Sequence, residues 1–151
     1  KGDQYAPKKI PHIGFKVFKL DSSNLKKWNP DYDNLEKSLF DRVHNYVEGR
    51  TEFDVVYEIM LKYGIDLTLP IETIDSNGKK LYSIGLGALV ICLDDEITLD
   101  IAHAIIEHKK DVDPETNMVV VFKDNGLKDD SVKTNIKETL KSAEIKDFVT
   151  V

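Results

Sequence analysis

Apolar and polar positions along this chain change period several times, and each change predicts an element. In Ile13 to Leu20, Phe15 and Val17 alternate with Lys16, and the aromatic and β-branched content predicts a strand that Asp21-Ser22-Ser23-Asn24 ends. From Tyr32, the apolar residues Leu35, Leu39, Val43 and Val47 recur at helical spacing and predict a helix ending near Gly49. Thr51 and Asp54 stand in capping-box spacing before a second helix that runs to Gly64. On that helix Asp54, Glu58 and Lys62 make one polar stripe, and Phe53, Val55, Val56, Tyr57, Ile59, Met60 and Leu61 cover the rest. Such a circumference predicts deep burial.

The period then becomes that of a sheet. Leu67 to Ile74 and Lys79 to Ile84 flank Asn77-Gly78, a dipeptide suited to a tight hairpin turn. Gly85-Leu86-Gly87 leads into the continuous apolar run Ala88 to Leu93, as expected of a central strand covered on both faces. Downstream, Thr98 stands where it can cap a helix whose Ile101, Ala102, Ile105 and Ile106 face inward. Met118 to Phe122 is a strand, Val132, Ile136, Leu140 and Ala143 mark another amphipathic helix, and Phe148 to Val151 is a last strand. Strand, helix, strand, helix, strand implies right-handed crossovers and a parallel core. The expected fold is therefore α/β: a small mixed sheet with a parallel βαβαβ C-terminal half, an antiparallel hairpin extension and two N-terminal helices. Residues 1–12, with two prolines and little periodicity, read as an arm or linker, and 13–151 as a single domain.

Composition narrows the class. At 151 residues and 41% hydrophobic, the chain can bury one core, and no apolar run approaches the length of a membrane span. One cysteine, Cys92, cannot make an internal disulfide, and no leader pattern is visible, so a cytoplasmic setting is expected. The start at Lys1-Gly2-Asp3 reads as a segment of a longer protein. Charge is uneven: seven lysines face two aspartates up to Trp28, whereas fourteen basic groups face twenty-five acidic ones after it. An acidic body is a poor duplex-binding surface, so only Lys16, Lys19, Lys26, Lys27 and Trp28 are candidates for contacting nucleic acid. Terminal lysines are more often simply solvated, and Trp28 is expected to pack as an anchor.

Three patterns resemble reactive motifs. Asn29-Pro30-Asp31-Tyr32 differs by one residue from the tetrad with which amino-methyltransferases hold a target amine. It follows Lys26-Lys27-Trp28 rather than an apolar strand, and Asp31 replaces the second proline, so it reads as a turn opening the first helix. Gly85-Leu86-Gly87 lies between two strands, unlike a phosphate-binding glycine loop, and reads as a hairpin connection. Asp94, Asp95, Asp124, Asp129 and Asp130 gather at the carboxyl ends of the parallel strands, where open α/β sheets bind ligands. Asp94, Asp124 and Asp130 could hold magnesium for a hydrolase or phosphoryl-acceptor reaction, against the alternative that aspartates are favoured in strand-to-helix turns and helix caps. His103 and His108 lack zinc-ligand spacing and read as surface residues; Cys92 reads as a small core residue rather than a nucleophile.

Two longer stretches resemble one known family. Gly14 to Trp28 (GFKVFKLDSSNLKKW), with Ser22, Ser23 and Asn24 at its centre, is similar to the segment after the catalytic motifs in modification subunits of type III restriction-modification systems. Val119 to Leu140 (VVVFKDNGLKDDSVKTNIKETL) is similar to their closing segment, where a strand ending in aspartate leads to an Asp-x-x-Lys-x-Asn helix start, here Asp124, Asp130, Lys133 and Asn135. Arg50-Thr51 before an apolar helix, Leu67-Thr68-Leu69-Pro70-Ile71-Glu72 and a hairpin running into an apolar strand follow in the family's order. Leu127 departs from it, since relatives usually carry an aromatic residue or methionine there. The resemblance implies a parent enzyme that transfers a methyl group from S-adenosylmethionine to adenine N6 in duplex DNA, with the base flipped out. It implies for this segment a non-catalytic C-terminal assembly domain. Neither the target-amine tetrapeptide nor the Phe-x-Gly-x-Gly cofactor loop is present, so no catalytic or cofactor-binding residue is expected here. The implied partners are other modification subunits, as a homodimer, and a restriction subunit, with DNA reached through the parent and no membrane involved.

Overall fold

A computed structural model describes residues 14–25, 47, 49–113 and 115–151. The expected arm at 1–12, Lys26, Lys27, Trp28, the Asn29 to Tyr32 tetrad and the first helix, apart from Val47 and Gly49, lie outside the described residues.

The first described helix, α1 (Glu52–Lys62), opens on the capping box its sequence announces. Thr51 Oγ1 accepts from the Asp54 amide at 3.3 Å, and the Asp54 carboxylate accepts from the Thr51 amide at 2.7 Å. Two orphan amides are satisfied reciprocally, which fixes where the helix begins. Burial is narrower than the sequence implies. Val55, Val56, Ile59 and Met60 are buried, but Phe53, Leu61 and Tyr63 are exposed, because a single sheet face covers only one side of the helix.

The sheet has five strands: β1 (Ile71–Ser76), β2 (Lys79–Ile84), β3 (Leu89–Cys92), β4 (Val119–Phe122) and β5 (Asp147–Thr150). They lie in chain order, β1 to β3 antiparallel and β3 to β5 parallel. The fold is thus α/β with a mixed sheet. Asn77 and Gly78, at φ 54° and 80°, make the tight turn between β1 and β2, and Ser76 pairs with Lys79 across it. Gly85-Leu86-Gly87, all at positive φ, connects β2 to the antiparallel β3. A Cβ at Gly87 would sit 3.0 Å from Val112 and 3.2 Å from Met118, so both the turn and its packing require glycine.

Strand alternation sorts side chains between two cores. Tyr82, Ile84, Leu89, Ile91 and Val121 point to the α1 side. Leu81, Val90, Cys92, Val120 and Phe122 point to the opposite face, which α2 (Leu99–Val112) and α3 (Asp130–Ser142) cover with Ile101, Ala102, Ile105, Ile136 and Leu140. The central strand β3 is buried throughout, as its unbroken apolar run predicts. Asp129 caps α3 by accepting from the Val132 amide at 2.9 Å, whereas Thr98 occupies the cap position of α2 without a side-chain bond.

One expected strand does not form. Residues 14–20 are extended but belong to no strand, and with 21–25 they make a strap across α1. Among the described residues, no helix is long and apolar enough to cross a membrane.

Candidate functional site

The polar stripe of α1 is what holds the strap. Glu58 accepts from Ser23 Oγ at 2.7 Å and from the Asn24 amide at 2.6 Å, and pairs with Lys62 at 3.0 Å. Asn24 Nδ2 donates to the Asp54 carbonyl at 2.9 Å, and Arg50 donates to Asp21 at 3.1 Å and to Ser22 Oγ at 3.2 Å. Burial pushes the Glu58 carboxyl up, but its hydrogen bonds from Ser23 and Asn24 and the charge of Lys62 outweigh this and hold it at about 2. Ser22, Ser23 and Asn24 therefore act as fasteners, and Arg50, just before α1, closes on Ser22 and its neighbour Asp21. Upstream of this clamp Lys16 donates to the carbonyls of Leu67 and Leu69, both at 2.9 Å, with its ammonium 5.6 Å from the Tyr57 ring centre. Lys16 is thus bound to its own protein, while Lys19 is exposed.

The strap carries several large apolar side chains that are exposed. Phe15 is 90% exposed, Val17 81% and Leu20 93%, with Phe53 and Leu61 exposed on the helix beneath. Phe18 is partly anchored edge-on to Tyr57, at 4.8 Å between ring centres. Large apolar side chains so fully hydrated in one short segment mark an interaction surface.

At the carboxyl ends of the parallel strands, lysines occupy the aspartates. Asp94 pairs with Lys79 at 3.4 Å, Asp95 with the buried Lys123, and Asp124 with Lys133 at 2.8 Å. Lys133 also reaches Thr150 at 3.3 Å, tying the start of α3 to β5. Its hydrogen bond keeps the Asp124 carboxyl below its ordinary range, against a smaller opposing effect of burial. Asp130 begins α3, and Asn135 is exposed along it. Among the described residues, no three His, Cys, Asp or Glu side chains come together as a metal site, so Asp94, Asp124 and Asp130 do not gather into the triad that the magnesium alternative would need. The reason is local: each strand-end carboxylate meets a lysine delivered by a neighbouring strand or helix.

A cleft of about 210 Å³ opens beside the first hairpin, lined by Glu52, Gly78, Lys80, Tyr82, Leu93 and Asp94. It is smaller than the few hundred Å³ typical of small-molecule sites. The Tyr82 hydroxyl in it already donates to Glu52, and burial together with that carboxylate drives its phenol pKa upward.

Two polar residues escaped the sequence reading. His108, expected at the surface, is half-buried, with Nε2 2.7 Å from Oγ of the buried Ser83 on β2. Its signal was present, since Ile101, Ile105 and His108 fall on one helical stripe. The pair satisfies a buried hydroxyl, and with Ser83 only 3% exposed it presents no nucleophile to solvent. Lys109 is also buried and extends its ammonium to the Ala143 carbonyl at the end of α3, at 3.4 Å. Cys92 lies in the core, where burial pushes its thiol up to about 11. No protein-family model matches the chain, and no curated protein matches it.

Proposed function

We propose that this chain is a non-catalytic C-terminal assembly domain of a site-specific adenine-N6 DNA methyltransferase of a type III restriction-modification system. One observation carries the assembly part: the strap exposes Phe15, Val17 and Leu20 and α1 exposes Phe53 and Leu61, more large apolar side chain than a surface with no partner requires. Several residues that carry the family resemblance fit the same reading, because they fasten the fold rather than line a reactive cleft. Ser22, Ser23 and Asn24 are held by Arg50 and Glu58, and Asp124 is held by Lys133. In this reading S-adenosylmethionine and DNA belong to the parent enzyme. The partners are further modification subunits and a restriction subunit, and the setting is the cytoplasm.

The magnesium-dependent alternative draws on Asp94, Asp124 and Asp130, and the lysine partners of the first two stand against it. The assay uses the complete gene product that contains this segment. It should transfer labelled methyl groups from S-adenosylmethionine to adenine N6 in duplex DNA, while the 151-residue chain alone transfers none. Deleting everything from Gly14 onward should leave the methyl-transfer machinery present but separate the subunits. A gene product that labels no adenine refutes the proposal.

A further inference from the structure

Residues 14–20 have the composition of a strand and the exposure of one that has lost its sheet. Phe15, Val17 and Leu20 are almost fully hydrated, and among the described residues no backbone hydrogen bond ties this stretch to the protein. β1, at the edge of the sheet, pairs on one side only, with β2. Unpaired edges of this kind accept an added strand.

The charges on the two segments match. Lys16 and Lys19 are three residues apart on the strap, and Glu72 and Asp75 are three apart on β1. A single register therefore sets both lysines opposite both acids in either strand direction. In the antiparallel case Lys16 meets Asp75 and Lys19 meets Glu72, with Val17 beside Ile74 and Leu20 beside Ile71. In the parallel case Lys16 meets Glu72 and Lys19 meets Asp75, with Phe15 beside Ile71 and Phe18 beside Ile74. Opposite charges and apolar pairs directly across a ladder are what stabilise it. Glu72 and Asp75 are both exposed; Asp75 also accepts from the Gly78 amide at 3.1 Å, a bond within its own turn.

We infer that residues 14–20 add as a sixth strand to the outer edge of β1 in a second copy of this chain, reciprocally, so that two straps close a two-fold dimer. The clamp at Ser22 to Asn24 keeps each strap rooted on its own α1, and seven extended residues reach roughly 23 Å beyond it. The exchange gives up the Lys16 contacts to Leu67 and Leu69 and the Phe18–Tyr57 contact. It gains a backbone ladder and covers Phe15, Val17 and Leu20. This deepens the assembly reading by assigning the strand and the sheet edge through which two copies join, and rests on it. Failure of that reading is seen in methyl transfer by the complete gene product, whereas failure here is seen in the mass of this chain alone.

Sedimentation velocity of the 151-residue chain from about 1 to about 100 µM covers the affinity range of a modest interface. The wild type should form dimers. A strap-reversed variant, K16E/K19E, and an edge-reversed variant, E72K/D75K, should each dimerise on the order of a hundredfold more weakly, as four cross-strand attractions become repulsions. Mixed in equal amounts, the two variants should recover the dimer, since each reversed strap then faces a reversed edge. Pairing of a strap with its own β1 predicts no such recovery. Leu20→Pro, which removes an amide that faces β1 in either strand direction and that bonds to nothing in the monomer among the described residues, should weaken the dimer without shifting the thermal melt of the monomer. A wild type that stays monomeric overturns the inference, as does a dimer indifferent to both reversals or to Leu20→Pro, or a mixture of folded variants that stays monomeric.

Discussion

Replacing Glu58 by alanine should release the strap while leaving the sheet intact. The carboxylate accepts from Ser23 Oγ and the Asn24 amide at 2.7 and 2.6 Å and pairs with Lys62 at 3.0 Å. Its pKa falls from an ordinary 4.5 to about 2, and after a discount for solvent screening this corresponds to on the order of 2 kcal/mol. Removing hydrogen bonds to a charged acceptor leads independently to roughly 1.5 to 3 kcal/mol. A loss near 2 kcal/mol raises the strap's opening equilibrium about thirtyfold. Hydrogen exchange reads this directly at two amides, Asn24, which donates to Glu58, and Val47, which donates to the Asn24 carbonyl at 2.9 Å. Both should exchange about thirtyfold faster in Glu58→Ala, and trypsin should cut sooner after Lys16 and Lys19, while core amides in β3 keep their protection. The pH dependence has a definite sign. Because the folded pKa is depressed, the stabilisation is complete above the unfolded value near 4.5 and is lost as pH falls through about 2. Strap opening should rise across that window in the wild type and not in Glu58→Gln. An Asn24 amide that exchanges within about twofold of wild type in Glu58→Ala refutes the clamp.

Gly126 stands in a one-turn 3-10 helix, and a Cβ there would lie 2.2 Å from the Asp94 carbonyl and 2.9 Å from Ile97, so Gly126→Ala should destabilise by about 2 kcal/mol or more in a thermal melt. An unchanged midpoint would show that the Asp94 loop yields freely. Thr51→Ala removes the hydroxyl half of the α1 capping box and should cost about 1 kcal/mol in denaturant titration, with an unchanged slope. Cys92, buried and with its thiol raised to about 11, should resist a thiol reagent until the protein unfolds, and rapid labelling of the native chain would contradict its place in the core. Millimolar magnesium should leave the melting midpoint unchanged, because Asp94 and Asp124 already pair with Lys79 and Lys133; a clear upward shift would reinstate a metal site.

Element type was legible in this sequence wherever the period was long or the turn chemistry strict. The unbroken apolar run of β3, the Asn77-Gly78 turn, the capping box of α1 and the apolar stripes of α2 and α3 each carry their own local cause, and the mixed sheet follows from their order. Candidate sites were less legible, because a site is a meeting of distant residues. Alternation predicts a strand at 13–20, yet pairing needs an edge within reach, and the described stretch from Gly14 is instead drawn over α1 by Arg50 and Glu58. Aspartates at strand ends suggest a metal, but only the folded chain brings Lys79, Lys123 and Lys133 onto them. The sequence by itself determined which face of each element is apolar, since that depends on side-chain spacing along one local geometry. Tertiary structure alone decided what each polar face meets, because those partners lie up to 53 residues away, as Lys16 and Leu69 do, and no local period encodes a contact at that separation.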